Sequence, residues 1–369
     1  MVLLRRSFNN IIKTYFHEID LPLFATIVAI SLFSIINLYG IVGPDSQFFE
    51  KQVVFFGIGI LLMVVLSLFN YRYLKNYSFP SIFLYSFSIF LLLLTFYSQA
   101  IRGTNAWIIF GNFTFEPSEL AKLVLIILLA KYFSQRHVHI NQLRHIVASG
   151  LYFILPTAII INQPDFGSAM ILTIIWVGML LAAGINRRYL FLLVIVGLIL
   201  SYIFWSFMLA SYQKDRIISF LDPQSDPHGS GYNIIQSKIA IGSGSLFGVG
   251  LGNGSQAGLG FLPESHNDFI FASTIEQFGL VGAGFVLFLI FFIIFRILNI
   301  AARASNNFGR LFSVGFVIFL FSHVFISAAV NVGLMPVTGI PFTFLSYGGS
   351  HLVSTMAGLG ILQSIKRYG

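Results

Sequence analysis

The chain contains no cysteine, which excludes both a disulfide framework and a thiolate metal site. Charge is scarce as well. Only 9% of the 369 residues are Asp, Glu, Lys or Arg, where a soluble domain carries about 25%. Hydrophobic residues make up 57% of the chain, 42 of the residues are Phe, and the mean hydropathy is +0.86. That much apolar surface cannot be hidden inside a water-soluble fold, so the composition reads as an all-α integral membrane protein. Acids are the scarcer sign, 13 against 21 Lys and Arg, for a net charge of +8. In a membrane protein this excess reports loop topology rather than nucleic-acid binding. There is no internal repeat of fixed period and no separate soluble domain, so residues 1–369 read as one polytopic unit.

What is present is a series of apolar runs near the length of about 20 residues that a bilayer demands. Ten are found, at roughly 21–42, 52–69, 79–97, 117–134, 147–162, 167–185, 189–210, 269–295, 309–332 and 346–364. Each must be helical, because lipid offers no partner to bare backbone groups. Arg5, Arg6 and Lys13 precede the first run, which lacks a small-residue cleavage site and so reads as a retained helix. With the N-terminus in the cytoplasm, 15 of the 21 Lys and Arg fall on the inner side. The remaining six are Lys51, Arg102, Lys122, Lys214, Arg216 and Lys238. The reverse orientation inverts that bias. Both termini are therefore expected in the cytoplasm, and 11 of the 13 acids, all but Glu18 and Asp20, fall elsewhere.

The longest polar interruption is Ser211–Asp268, expected as one large extracytoplasmic loop between spans seven and eight. It combines Lys, Arg, Asp, Glu and His with glycines between Gly229 and Gly260, and has no obvious fold of its own; such loops are usually functional or disordered. Its last residue, Asp268, stands directly before an apolar run. Asp268 is either the N-cap of the helix that follows or a general base, and His266 beside it is either a second base or a solvated side chain. Three further clusters carry polar groups. In the first, Arg102–Trp107 leads to Glu116-Pro117-Ser118-Glu119-Leu120-Ala121-Lys122. Glu119 and Lys122 share a helix face, so they either neutralise one another or line a cavity. Trp107 is an interfacial anchor or a ligand contact. In the second, Asp165 of Gln163–Gly167 is a helix cap or part of the cavity. The third, Asn331–Ser350, has two prolines, four glycines and no charge. It is a tight loop, or it dips into the membrane under protein cover. Glu276, two turns inside the eighth span, is expected to make a structural hydrogen bond. No His, Asp or Glu spacing marks a strong metal site.

Taken in order, these clusters resemble the SEDS family of cell-wall polymerases, the RodA/FtsW group. The matching motifs stand at Gly103–Trp107, Glu116–Lys122, Gln163–Gly167, Gln236–Gly244, Leu262–Phe271, Pro336–Pro341 and Ser346–Ser350. The likeness spans nearly the whole chain. It departs from the family pattern at Glu116, a frequent Gln, at Asn267, a frequent Thr, and at Ala106, where many members have Arg. The short N-terminus ending Ile19-Asp20, and Gly242–Gly248, are more like RodA than FtsW.

The resemblance implies a peptidoglycan glycosyltransferase of the bacterial cytoplasmic membrane that polymerises lipid II for cell-wall elongation and shape. Asp268 would be the catalytic base, acting in a single inverting displacement that releases undecaprenyl diphosphate. Lys122, Arg102, Arg216 and Lys238, in that order, are the candidates to meet the diphosphate charge. Glu119, Glu116, Trp107, Asp165 and His266 complete the expected substrate-binding set. A divalent cation is compatible with this chemistry, but the sequence names no ligands for one. A class B penicillin-binding protein and other membrane proteins of the elongation complex are the implied partners, and no nucleic acid is. Three competing readings stand beside it: the FtsW-type division paralogue, a lipid II flippase, and a non-catalytic scaffold for a transpeptidase.

Overall fold

The computed structural model describes residues 18–98, 104–111, 113–136, 142–208, 211–224, 226–227, 229 and 231–369. Arg102 lies outside them. The element order is α1 (Leu21–Val42), α2 (Gln47–Leu68), a short α3 (Arg72–Asn76), α4 (Ser78–Leu94), and a hairpin of β1 (Ile108–Phe110) and β2 (Phe113–Phe115). Then come α5 (Pro117–Arg136), α6 (Leu143–Asn162), α7 (Phe166–Ala183), α8 (Arg187–Ile203) and α9 (Ser211–Leu221). The chain ends with α10 (Tyr232–Gly244), the single turn α11 (Ser255–Gly258), α12 (Ile270–Arg303), α13 (Asn307–Asn331) and α14 (Gly349–Tyr368). Ten of the described helices have 17 residues or more, and they coincide with the ten expected spans. This is an integral membrane architecture.

Short polar residues start these helices, as capping chemistry dictates. The Asp20 carboxylate accepts from Leu23 N at the head of α1, the Ser46 hydroxyl from Phe48 N at α2, and the Asn306 side chain from Gly309 N at α13. Eight of the ten helices are long and apolar enough to cross a membrane. The other two, α5 and α14, carry most of the polar clusters, and 15 of the 20 residues in each are buried. They form the centre. α14 packs on α2 and α5, while α13 packs on α5, α7 and α12. By contrast, none of α8 is buried.

One end of the bundle is closed by charge. Asp20 takes a two-pronged bond from Arg296, with Nε at 3.0 Å and Nη2 at 2.6 Å, and its backbone N–H donates to Gln363 at 2.7 Å. Arg367 meets Glu18 at 2.6 Å, and Arg72 donates to Tyr368 O at 2.7 Å. These are the residues that the positive-inside bias assigns to a single face.

At the other end, Ser211–Asp268 is more structured than its composition suggests. α10 packs along α12, with Ile234, Ser237 and Ala240 buried. The glycines that follow it serve close backbone approach. α12 breaks at Gly279, whose φ of 69° only glycine adopts without strain. The polar backbone groups freed by the break bond to the loop: Leu280 N and Val281 N donate to Ser245 O and Leu246 O, while Val249 N and Gly250 N donate to Glu276 O and Gln277 O. A Cβ on Gly279 would lie 2.3 Å from Leu246 O, and one on Gly248 2.1 Å from Gln277 O. Glu276 is fully buried and accepts from Gln256 N at 2.7 Å and Ala257 N at 3.0 Å, which fits the structural role expected of it. Residues 232–258 are thus inlaid into the spans, not suspended above them.

Gly279→Val should therefore cost at least the ~1–2 kcal/mol of a left-handed L residue, plus the clash with Leu246 O. The expected outcome is a lower thermal midpoint in detergent and faster proteolysis within residues 245–250. An unchanged midpoint would contradict the inlay.

Candidate active site: two polar corners and a re-entrant segment

The first polar corner forms where α5 begins. Pro117 opens the helix, since its missing N–H is harmless there. The preceding Glu116 is half-buried and satisfied on every side. Its carboxylate accepts from Ser118 Oγ at 2.6 Å and Trp107 Nε1 at 3.2 Å, and its backbone N–H donates to Ser350 Oγ at 2.9 Å. Trp107 is thus a partner of Glu116 and not only an interfacial anchor. Ser118 Oγ lies 3.2 Å from Ser168 Oγ, and Ser168 N donates to Asp165 at 3.0 Å. Asp165 accordingly caps α7, and it also lies within electrostatic reach of Glu116 and Lys122. Burial, then the charges of Glu119 and Asp165, push the Glu116 carboxyl up to about 8.

One turn further on, Lys122 Nζ donates to Glu119 Oε1 at 2.8 Å, and both side chains are 1% exposed. The second oxygen, Glu119 Oε2, lies 2.8 Å from His351 Nδ1 on α14. His351 Nε2 reaches Thr343 Oγ1 at 3.1 Å, and the His351 ring stacks on that of His323 with centroids 4.4 Å apart. Glu119, His323 and His351 each offer a ligand atom within 4.8 Å of the others. The ion pair expected from the i,i+3 spacing is therefore real, but it belongs to a four-residue network. Neither histidine stands out in the motifs. Each is nonetheless an ionisable group in an apolar run, which is the signal that could have found them.

Residues Val332–Gly348 run back from the end of α13 as a re-entrant segment. Ser34 Oγ donates to Leu345 O at 3.0 Å, and His323 Nδ1 reaches Pro341 O at 3.2 Å. Ser34 and His323 each lie eight residues inside their helices, about 12 Å of depth at 1.5 Å per residue. Phe342, Thr343, Phe344 and Leu345 are buried in protein, the cover such backbone requires.

The second corner forms where the loop meets α12. The N-cap position is Phe269, and its side chain makes no capping bond. Ala272 N, in the first turn, donates instead to Asn331 Oδ1 at 2.9 Å, across from the end of α13. Asn331 Nδ2 donates to Asp268 O at 2.8 Å and to Ser327 O at 2.8 Å. One amide thus holds the Asp268 backbone and caps the helix that Asp268 precedes. Asp268 itself is half-buried. His266 packs against the rings of Phe48, 4.4 Å away, and Tyr347, 6.1 Å away, which also touch each other at 5.1 Å. Lys238 is exposed on α10, its Nζ against Gly333. Arg216 falls on α9.

The two corners share the re-entrant segment as a wall. Tyr347 N donates to His266 O at 2.9 Å and Ser346 Oγ to Asn267 O at 2.8 Å, while Thr343 Oγ1 meets His351, the partner of Glu119, at 3.1 Å. The structure therefore brings Asp268, His266 and Lys238 to one corner and Glu116, Glu119, Lys122, Trp107 and Asp165 to the other. It closes Lys122 off from solvent.

A polytopic helical membrane protein with buried charge under a re-entrant wall is the class that this fold and site define. Residues 13–369 match the FTSW_RODA_SPOVE family, described as "Cell cycle protein". The chain belongs to that family. It is 36% identical over 356 residues to the peptidoglycan glycosyltransferase MrdB of Escherichia coli, covering 96% of this chain and 95% of that one. Among solved structures it is similar to the rod shape determining protein RodA of Thermus thermophilus, at 28% identity and a TM-score of 0.71, covering 95% and 97% of the two chains. A chain of a peptidoglycan synthase complex, solved in work on the coordination of polymerization and crosslinking, superposes at a TM-score of 0.80 with 29% identity, covering 95% and 98%.

Two outcomes follow from the first corner. Lys122→Met leaves the Glu119 carboxylate buried without its ammonium, which should cost about 3–5 kcal/mol. Lys122→Met combined with Glu119→Gln should recover part of that loss in the thermal midpoint; equal midpoints for the single and double variants would count against the pair. Glu116, raised to about 8 from the ordinary 4.5, binds its proton more tightly folded than unfolded. Its contribution to stability is thus present at low pH and is lost as pH rises from about 4.5 through 8. The wild-type midpoint should fall over that window more steeply than that of Glu116→Gln, and parallel curves would contradict the assignment.

Proposed function

We propose that this chain is a peptidoglycan glycosyltransferase of the RodA type that polymerises lipid II, with Asp268 as the general base. The observation that carries the reading is the whole-length likeness to MrdB, together with a half-buried carboxylate whose backbone is held at the corner beneath the loop. Phe269, not Asp268, occupies the N-cap position, and Asn331 Oδ1 accepts the Ala272 N–H of the first turn. That supports a role for Asp268 beyond starting the helix.

In the proposed step, Asp268 takes the proton from the 4-hydroxyl of the acceptor sugar. The oxygen attacks the anomeric carbon of the donor from the face opposite the diphosphate. A carbon–oxygen bond forms as the bond to the diphosphate breaks, undecaprenyl diphosphate leaves, and the configuration inverts. Positive charge near the leaving group stabilises what develops there. Lys238, exposed on the Asp268 side, meets that need without rearrangement, and Arg216 is retained as a candidate from α9. Contact between Lys122 and a diphosphate requires Glu119 to give way, because Lys122 is buried in its pair. Arg102, Trp107, Glu116, Asp165 and His266 complete the substrate-binding set of this reading. The likeness to a chain of a peptidoglycan synthase complex supports a class B penicillin-binding protein as partner. The charge bias supports cytoplasmic termini, with the Asp268 corner on the outer face.

Asp268→Asn tests the assignment. Asparagine keeps the shape of the side chain, and Asp268 is not the capping residue of α12, so the thermal midpoint should hold. Polymer formed from lipid II by the purified chain with its transpeptidase should drop by about 10²–10⁴-fold, the scale of general-base catalysis. Near-normal polymer yield would refute the catalytic role. Polymer formation in detergent also excludes a pure flippase, because detergent leaves no second membrane side to which lipid could be moved.

A further inference from the structure

We propose that Glu119, His323 and His351 form a binding site for a divalent transition-metal ion of the zinc class, tying α5, α13 and α14 together. The inference does not rest on the polymerase reading.

The hydrogen bonds determine which atoms are available. A backbone carbonyl only accepts, so the 3.2 Å contact between His323 Nδ1 and Pro341 O places the proton on Nδ1. That leaves His323 Nε2 as a bare lone pair. It is fully buried and has no hydrogen-bond partner, an expensive state for a polar atom. His351 bonds through both nitrogens, Nδ1 to Glu119 Oε2 at 2.8 Å and Nε2 to Thr343 Oγ1 at 3.1 Å. Glu119 Oε2 only accepts, so in the ion-free site Nδ1 carries the proton of that 2.8 Å bond; an ion would displace this proton, with Nε2–H then donating to Thr343 Oγ1 and Nδ1 serving as the second ligand atom. A metal-ligating histidine nearly always gives its other N–H to a carbonyl, carboxylate or similar acceptor, which fixes its tautomer and aim. Both histidines have that support here.

Charge points the same way. Among the described residues Lys122 is the ammonium set against Glu119, Glu116 and Asp165, all within its electrostatic reach. With all three carboxylates ionised, two negative charges are left over at the membrane rim. The proton that Glu116 retains is one answer to that deficit, and a dication is another. The donor set of two imidazoles and one carboxylate suits zinc and its neighbours rather than magnesium or calcium, which prefer oxygen. Tetrahedral coordination at about 2.0–2.1 Å places ligand atoms about 3.3 Å apart. Glu119 Oε2 and His351 Nδ1 are already closer than that and the three ligand atoms lie within 4.8 Å of one another, so the remaining adjustment falls on His323.

The test uses the full-length, tag-free chain in detergent, stripped with a chelator and titrated with Co²⁺ as a coloured probe. Saturable uptake of one Co²⁺ per chain is expected, with ligand-field bands of a low-coordinate nitrogen–oxygen site, displaceable by Zn²⁺. His323→Gln should weaken uptake at least about tenfold, and Thr343→Val, which removes only the group supporting His351, by about 10–100-fold. The ion should raise the thermal midpoint of the wild type and not that of His323→Gln. The proposal is overturned if the wild type shows no saturable uptake. It is equally overturned if uptake in folded Thr343→Val and His323→Gln matches the wild type, which would leave the histidines as packed core residues. Neither result depends on polymer formation, so each leaves the Asp268 assignment intact.

Discussion

Backbone polar groups in hydrocarbon must find protein partners, because each one left bare costs several kcal/mol. The re-entrant segment 332–348 exists under that constraint, and the surrounding helices are arranged to meet it. Ser34 from α1 supplies a donor to Leu345 O, His323 from α13 reaches Pro341 O, and Ser346 Oγ takes Phe342 N while donating to Asn267 O. These partners come from distant parts of the chain. Covering the segment thereby fixes where α1, α13, α14 and the tip of the large loop stand relative to one another, and the two polar corners are by-products of that arrangement.

Within it, the Glu119–Lys122 pair is better understood as specification than as added stability. Replacing a buried ion pair by apolar residues of equal volume is often neutral, whereas breaking one is severe. The pair earns its place by demanding a third partner at a defined distance. His351 can satisfy Glu119 Oε2 only if α14 sits at one height against α5, and the next bond, Ser350 Oγ to Glu116 N, selects the same height.

Much of this was legible in the sequence. The ten spans follow from apolar run length, which the bilayer imposes uniformly. The Glu119–Lys122 pair follows from a three-residue spacing on a helix, and the buried bonds of Glu276 from the cost of a lone carboxylate at depth. What was not legible depends on contacts between residues far apart in the chain. Asp165 could be read as cap or cavity, and it is a cap that also feels Lys122. The capping acceptor in α12 is Asn331, 59 residues from the N–H it serves, and no local pattern announces it. The inlay of residues 245–250 against Gly279 was hidden because glycine-rich polar sequence looks alike whether it is loose or packed. His323 and His351 lie on different helices, and nothing local to either announces the carboxylate or the ring that it meets.

The sequence separations along these bonds bear on biogenesis. Glu119 meets His351 across 232 residues, Ser34 meets Leu345 across 311, and Asp20 meets Gln363 across 343. While the ribosome still holds the last third of the chain, α5 already resides in the bilayer with a carboxylate and an ammonium. His351 is not yet made at that stage, and the i,i+3 pairing gives each charge a partner on its own helix. The pair can therefore wait, electrically neutral, until α14 arrives to complete the wall. A variant with the cation moved onto another helix could satisfy the finished protein equally well, yet it would leave α5 carrying a bare charge through the longest interval of its synthesis.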